Sequence, residues 1–312
     1  MRVLIAGGTG RLGSEVVARL CEREEIGLRV LTRKPGRAKH LSQSVERVEG
    51  DVRDPRAVDA AMQGVATVVS AVHGFAAGGR TTPRLVDWEG NRQLIESAVR
   101  AGVAHFILIS VGQAGPRHPM ELMRMKYRAE NALRSSGLSW TIVRPTAYME
   151  TWIELIAEPL GRTGKTLIFG NGNNPVNFVS VRDVAYLVQH AILDAGSRGQ
   201  VLEIGGPENL TMRQLVDMYK SIRGVDGRVG SIPRHMLHAM ALLLPPVLPA
   251  MAGQVRAALV MDTADMRFAR DSRQLPGLPA TRLEEVLSTA SARSGSPRVD
   301  TSSPGRSRPV VP

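Results

Sequence analysis

The feature that most constrains this chain is a glycine turn met almost at once. The apolar run Val3-Leu4-Ile5-Ala6 enters Gly7-Gly8-Thr9-Gly10-Arg11-Leu12-Gly13, and Leu12, Val16 and Leu20 then recur on one helical face. Glycine at 7, 10 and 13 permits a tight turn and a close approach of backbone to a pyrophosphate, whose charge meets the N-terminus of the following helix. A turn that served packing alone would not require three glycines at this spacing. Between a strand and an amphipathic helix, the pattern predicts a dinucleotide-binding βαβ unit with Gly7, Thr9, Gly10, Arg11, Leu12 and Gly13 against the cofactor.

Short apolar runs of strand length continue at 29–32, 45–49, 67–71, 106–110 and 140–143. Between them, 55–62, 85–101 and 119–135 carry apolar residues three and four apart. This alternation predicts an α/β fold, a Rossmann-type doubly wound parallel sheet with helices on both faces and right-handed crossovers. After Pro145 the rhythm weakens. A helix over 181–193, a strand over 200–204 and a helix over 211–222 are expected to interleave between the sheet and a smaller C-terminal substrate lobe. The expected division is a cofactor-binding core at 1–146, a lobe at 147–287 with returning core elements at about 176–206, and a disordered tail at 288–312. In that tail Ser, Pro, Gly and Arg replace periodic apolar positions.

Cofactor choice is read at the end of the second strand, where an acidic residue would hold the ribose 2′-hydroxyl of NAD. Here the run is Leu31-Thr32-Arg33-Lys34, with no carboxylate. Arg33 is placed to stack on adenine and to pair with a 2′-phosphate, a geometry suited to a guanidinium. Arg11 is a second candidate contact, and the cofactor expected is NADP(H). The other reading leaves Arg33 and Lys34 as solvated loop charges. Asp51, followed by Val52, is placed to accept from the adenine amino group, and Ala71 ends the fourth strand at the same edge.

Composition narrows the remaining classes. With 312 residues and 43% apolar content, the chain is long enough for one large core and an appended lobe. The formal net charge of +11 comes mostly from Arg spread along the chain, and only 4% of residues are aromatic. No stacking platform can be drawn, so no nucleic-acid partner is expected. Seven histidines are scattered without ligand spacing, and HExxH, paired CxxC and GxSxG are missing, so no metal and no serine-hydrolase chemistry are expected. The lone Cys21 falls in the helix after the glycine turn and reads as a buried structural thiol. The chain reaches glycine by residue 7 without a charged leader and an apolar stretch of signal length, so a cytoplasmic location is expected. The most apolar stretch, 239–253, holds three prolines and is shorter than the roughly 20 residues a spanning helix needs. It reads as lobe core or pocket wall, and no membrane span is expected.

Further segments carry a family likeness. They are Thr9 to Gly13, Val30-Leu31-Thr32-Arg33, Gly50-Asp51-Val52, Ala101-Gly102-Val103 and Ser136-Gly137-Leu138, then residues 178–185 (FVSVRDVA) and Ile204-Gly205-Gly206-Pro207. With these the chain resembles, over roughly residues 1–285, the short-chain dehydrogenase/reductase superfamily in its atypical, NmrA-like and isoflavone-reductase-like branch. The resemblance implies a Ser or Thr at the end of the fifth strand and a Tyr four residues before a Lys on the next helix. Ser110 matches the first position, and Lys126, with Glu130 one turn later, matches the lysine. The tyrosine position holds Leu122. Four residues turn a helix through about 400°, so 122 and 126 share a face, whereas Tyr127 is rotated by about 100° from Lys126 and is a poor substitute.

That loss bears on chemistry, because the tyrosine is the proton donor that makes hydride delivery to a carbonyl productive. The resemblance makes Lys126 and Ser110 the candidate catalytic residues, with Lys126 holding the nicotinamide ribose hydroxyls and taking part in proton transfer. The plain alternatives are a solvated lysine on a basic helix and a capping hydroxyl at a strand end. His73, after the fourth strand, and Tyr148, just past Pro145, either face the nicotinamide edge or are ordinary loop residues. The function expected is an NADP(H)-dependent reductase or isomerase of a small apolar carbonyl, enone or quinone-like substrate, bound between the C-terminal edge of the sheet and the lobe. The alternative is a non-catalytic NADP(H)-sensing regulator or accessory subunit of a larger complex.

Overall fold

In the computed structural model, which describes residues 1–38, 41–74, 81–244, 249–269 and 277–294, six strands are laid down first. They are β1 (Arg2–Ala6), β2 (Gly27–Thr32), β3 (Glu46–Glu49), β4 (Thr67–Ser70), β5 (His105–Ile109) and β6 (Trp140–Pro145). The lobe follows with β7 (Ala147–Tyr148), β8 (Lys165–Phe169) and β9 (Val176–Val179), then β10 (Gln200–Ile204) returns to the main sheet. β11 (Asn209–Leu210) and β12 (Arg228–Ile232) complete the lobe pairings.

The main sheet runs β10-β6-β5-β4-β1-β2-β3, and every pairing in it is parallel. The chain winds outward from β1 on one side, then crosses to β4 and winds outward on the other. This is the doubly wound sheet that the alternation of runs implies. Parallel strands covered on both faces need apolar residues at every position, and Val3, Leu4, Ile5 and Ala6 are all fully buried. The reversal falls between β1 and β4, so their C-terminal ends open the crevice in which sheets of this kind bind ligands.

Helices α1 (Arg11–Leu20), α2 (Pro55–Met62), α3 (Asn91–Arg100) and α4 (Glu121–Arg134) belong to the first half. α5 (Met149–Trp152) and α6 (Glu158–Thr163) open the lobe, and α7 (Val181–Leu193) goes back to the sheet. α8 (Met212–Arg223), α9 (Arg234–Leu243), α10 (Pro249–Thr263) and α11 (Leu283–Ser294) follow. α1 and α7 cover one face, where Val16, Leu20, Val184 and Val188 pack against Ile5 and Val30. α2, α3 and α4 cover the other, where Val58, Leu94 and Leu133 meet Leu4 and Phe106. Local signals agree with these packing choices. Asp54 accepts from Arg56 N with Pro55 in the first turn of α2, Ser180 caps α7, and Thr211 and Gln214 form a capping box on α8.

Four expectations are altered. The helix read at 85–101 is broken in character, because Arg84–Gly90 winds as a π-helix before α3 begins at Asn91. That wider turn brings Asp87 and Asn91 to full burial. α11 runs through Ser294, past residue 288, and Leu283, Val286 and Leu287 pack in the lobe core. Of the tail expected at 288–312, residues 295–312 lie outside the described residues. The apolar stretch 239–253 divides: Ala252 is buried, whereas Leu242 is 78% exposed, so the α9 side is surface and not core. Residues 245–248 of that stretch lie outside the described residues. Cys21 is half-buried against the α1 side of the core and not fully enclosed. Among the described residues no helix is long and apolar enough to cross a membrane.

A buried histidine couples this fold to pH. His105 on β5 is 2% exposed, and its Nε2 lies 2.9 Å from Thr141 Oγ1, which itself donates to Ser197 O. Burial first, and the charge of Arg198 second, bring its pKa from 6.5 down to about 4. The unfolded chain therefore takes up this proton at a higher pH than the folded one, and the stability it contributes is complete above 6.5 and is lost as pH falls toward about 4. Urea midpoints measured across that interval should fall with pH, and His105→Gln should flatten the fall.

Candidate functional site

The glycine turn is set by contacts between backbones. Gly7 has φ +85°, and a Cβ there would lie 2.7 Å from the carbonyl oxygen of Ala71 at the end of β4. A Cβ on Gly13 would overlap the Gly7 carbonyl oxygen and come within 2.7 Å of Gly8 Cα. Gly10 differs. Within 4 Å its added Cβ would meet only Gly7 O, at 3.2 Å, and the rest of the space around it is open. Gly10 is also the N-cap of α1 and supplies no side-chain acceptor to the first N–H groups. An uncapped helix start fronted by open space at a sheet reversal suits the pyrophosphate of a dinucleotide. The residues fit that group.

The other expected contacts are gathered around this turn. Thr9 Oγ1 lies 3.3 Å from Thr32 Oγ1, joining the turn to the end of β2. Leu12 turns its side chain into the core, so it offers a ligand only its backbone. Arg33 is exposed just past β2. Val52 is buried, and Gly90 packs against it so closely that a Cβ would sit 2.7 Å from Val52 Cγ2. Ala71, half-buried, contributes the carbonyl against Gly7.

Asp51 is engaged in a way the sequence did not reveal. Arg53 donates to its carboxylate from the backbone N at 2.9 Å, from Nε at 2.8 Å and from Nη2 at 2.7 Å. These bonds, with help from the Arg33 charge and against the opposing effect of burial, hold the Asp51 carboxyl below the usual range. The anticipated acceptor for adenine is thus clasped by a second arginine. Arg11 pairs with Glu154 of the lobe, so it ties the glycine turn to the lobe.

Ser110 and Lys126 are both brought to the C-terminal edge, and both are already committed. Ser110, 2% exposed, donates to Glu130 Oε1 at 2.5 Å. Glu130 is fully buried and also accepts from Arg144 Nε at 2.9 Å, Arg144 Nη2 at 2.7 Å and Arg134 Nη2 at 3.2 Å. Lys126 Nζ donates to Val72 O at 3.0 Å and Ile109 O at 2.8 Å, and lies 3.0 Å from Asp87 Oδ1. Its three donors are spoken for. Leu122 is buried at the tyrosine position, and Tyr127 is half-buried. Burial, reinforced by the charge of Glu150, pushes the Tyr148 hydroxyl well above its usual pKa. Glu150 accepts from Ser180 Oγ at 2.7 Å and from Val181 N, capping α7 from the lobe side. Burial nonetheless pushes its carboxyl up, with these bonds opposing.

Sequence reading missed Asp87. Burial pushes its carboxyl up, but the Lys126 charge, with the His73 ring nearby, outweighs burial and holds it below the usual range. Gly74 N donates to Asp87 Oδ2 at 2.8 Å, and His73 Nδ1 lies 3.6 Å from Oδ1. Asn91 Nδ2 donates to Asp87 O, and Ser70 Oγ to Asn91 Oδ1 at 2.5 Å. The available signal was a carboxylate and an amide four residues apart in a helix otherwise read only for its apolar stripe. Met120 and Met123 pack with Ala257 and Val260 of α10 in a small separate apolar cluster. Among the described residues no three His, Cys, Asp or Glu side chains gather as a metal site.

Fold and site together define a dinucleotide-binding Rossmann protein. Comparison with known proteins refines this, since a family described as NAD(P)H-binding matches residues 7–195, more than half of the chain. The chain belongs to that NAD(P)H-binding family. It is 30% identical over 211 residues to an NAD(P)H azoreductase of Xenophilus azovorans, covering 67% of this chain and 69% of that one. It is 26% identical over 238 residues to the photosystem II assembly factor Ycf39 of Trieres chinensis, covering 76% and 74%. Among solved structures, an NADPH-dependent quinone oxidoreductase of Escherichia coli superposes with a TM-score of 0.71 at 22% identity, over 92% of this chain and 99% of that one. The NADP(H) complex of triphenylmethane reductase from Citrobacter superposes with a TM-score of 0.73 at 19% identity, with the same coverage.

Two substitutions separate the roles of the glycines. Gly13→Ala should cost at least about 2 kcal/mol of stability through backbone overlap, whereas Gly10→Ala should change stability by less than about 1 kcal/mol and weaken NADPH binding at least about 10-fold. Thermal melts and cofactor titration check both. Lys126→Met should leave Asp87 as an unpaired buried charge and cost about 3–5 kcal/mol, read as a fall in the denaturation midpoint.

Proposed function

We propose that the protein is an NADPH-dependent reductase of a small, apolar, conjugated acceptor such as an azo compound, a quinone or an enone. The observation that carries this reading is the open, uncapped start of α1 at Gly10, seated at the reversal between β1 and β4. The exposed Arg33 and the carboxylate-free run Leu31-Thr32-Arg33-Lys34 support NADPH over NADH, because a guanidinium pairs with a 2′-phosphate whereas a carboxylate would hold a 2′-hydroxyl. The azoreductase relative supports the acceptor class. When bound, NADPH supplies a hydride.

The chain's own residues bind and orient. The N–H groups at the start of α1 would receive the pyrophosphate and Arg33 the 2′-phosphate. Leu122 at the tyrosine position favours conjugated acceptors, since charge developing on hydride arrival is then delocalised and the demand for a strong adjacent acid is lower than for an isolated ketone. We retain a division into a cofactor core at 1–146 and a substrate lobe from 147 onward.

A second reading has its own support. Ser110 and Lys126 are both locked in buried pairs, as a scaffold requires, and one relative is named as an assembly factor. That reading makes the protein an NADP(H)-binding regulator or accessory subunit.

Calorimetric titration should give tighter binding of NADPH than NADH, and Arg33→Ala should shrink the difference by about 1–3 kcal/mol. Equal affinities in the wild type would remove the basis for the cofactor assignment. Oxidation of bound NADPH by an azo dye, a benzoquinone or an enal supports the reductase, and tight binding with no acceptor reduced supports the regulator.

A further inference from the structure

We propose that the α9–α10 hairpin docks on the surface of a bilayer that carries anionic lipid, an interaction independent of the reductase reading above. Exposed apolar residues elsewhere, such as Val99 on α3 and Leu167 on β8, stand singly on their elements, as on any protein surface. This hairpin carries four. Leu242 is 78% exposed, Leu243 69%, Met236 50% and Met251 44%.

The hairpin has a fixed base and a free end. Arg234, at the start of α9, pairs with Asp262 near the end of α10, so the two helices run antiparallel. Asp262 also accepts from Asn171 N at 3.0 Å and Gly172 N at 3.2 Å, which ties this base to the turn between β8 and β9. Ten residues of α9 then carry the chain about 15 Å away from the base, and residues 244–248 join the helices at the far end. Leu237 is the fully buried side of α9. Seven residues make nearly two turns, so Met236 and Leu243 share one outward side, and His235 and Leu242 share the next, with His238 one turn before Leu242.

Charge decides what covers this face. From Arg228 to Met261 the chain holds Arg228, Arg234, Arg256, His235 and His238 and not one Asp or Glu. Asp262 is buried and paired with Arg234, whereas Arg256 and both histidines are exposed. β12, which leads into α9, pairs with β8 in a register that sets Arg228 beside Lys165, both exposed. The whole chain carries +11, so its long-range field also favours an anionic surface. Depth agrees with charge. His238 lies about 6 Å along the helix axis behind Leu242, and interfacial apolar faces sink about 5–10 Å, leaving their polar groups among the headgroups. α9 has half of the roughly 20 residues that a spanning helix needs, so the hairpin docks and does not cross. A second copy on the same face would bring like charges together. A protein partner would need a groove shaped to the hairpin end, whereas lipid conforms to it.

The test is cosedimentation of the full chain with vesicles of phosphatidylcholine alone and of phosphatidylcholine with phosphatidylglycerol, for wild type, the double variant Leu242→Ser, Leu243→Ser, and Arg256→Gln. The wild type should bind the mixed vesicles at least about 10-fold more tightly than phosphatidylcholine, and added salt should weaken that binding. The double variant should lose at least about 10-fold and Arg256→Gln about 5-fold. Because all three positions are exposed, melting temperature should stay within about 2 °C and NADPH affinity within about 2-fold of wild type. Equal binding to both vesicles overturns the choice of an anionic surface, and undiminished binding by the double variant overturns the choice of the hairpin. If the wild type binds neither vesicle the bilayer is overturned; a dimer that the double variant abolishes then identifies a second copy as the occupant, and a monomer leaves a protein partner. None of these outcomes bears on the reductase reading, which acceptor turnover tests separately.

Discussion

Everything at the crevice depends on how closely three backbone segments approach one another. Gly13 lies against the Gly7 carbonyl, and Gly7 lies against the carbonyl of Ala71, with no room for a Cβ at either contact. These two contacts seat the first turn of α1 directly over the reversal between β1 and β4. A helix start displaced by even a methyl group would move its N–H groups off the line of the crevice, and the partial charge they carry falls off within one turn. Gly10, which no such contact requires, is then free to front the ligand space. The spacing of the three glycines thus encodes two packing contacts and one opening.

Around that turn the polar interior is divided between two clusters on one face of α4. Lys126 and Glu130 are four residues apart, so they share a face, and each is buried against its own partners. Lys126 holds Asp87 and two strand-end carbonyls, while Glu130 holds Ser110, Arg134 and Arg144. Burying such charges is tolerable only when every one is paired, because the desolvation cost otherwise exceeds the attraction. Full pairing also has a structural consequence. Side chains whose donors are saturated hold their geometry well, and Ser110 and Lys126, which family likeness marks as catalytic, also brace the strand ends.

The sheet was legible because its cause is local. Continuous apolar runs such as Val3 to Ala6 and Phe106 to Ile109, set in a strand–helix alternation, are strands buried on both faces, and the helices read at 181–193 and 211–222 form with Ser180 and Thr211 as their caps. The cofactor turn was legible for the same reason. The site's polar wiring was not. Asp87 reads as one polar position in a helical stripe, and its burial arises from a π-helical turn together with Lys126, which lies 39 positions away (126 − 87). Asp51 reads as an open acceptor, yet Arg53 claims it through a local turn. Arg11 reads as a phosphate contact, and the sequence shows no sign of the glutamate 143 residues distant that pairs with it. Long-range charge pairing carries no periodic signature, so the partners of Asp87 and Arg11 could not be read from the sequence, and the local Arg53 clasp on Asp51 has none either. The α9 surface failed differently: an apolar composition shows that a segment can be buried, but Leu242 and Leu243 are not.

The lobe is held to the core by polar contacts at helix starts, with the apolar clusters of core and lobe lying to either side. Glu150 caps α7 through Ser180 and Val181, and Asp183, in the first turn of the same helix, accepts from Thr281 N at 2.9 Å and Thr281 Oγ1 at 2.6 Å. Arg11 reaches Glu154 from the first turn of α1. α1 and α7 pack side by side on the same face of the sheet, so both lobe attachments are referred to one rigid pair of helices. Carboxylates at helix N-termini are also where the backbone's own partial charge favours them. The lobe is therefore registered against the start of α1, where the glycine turn opens. Position relative to the glycine turn, and not reach from a flexible loop, is what this architecture supplies to whatever binds in the crevice.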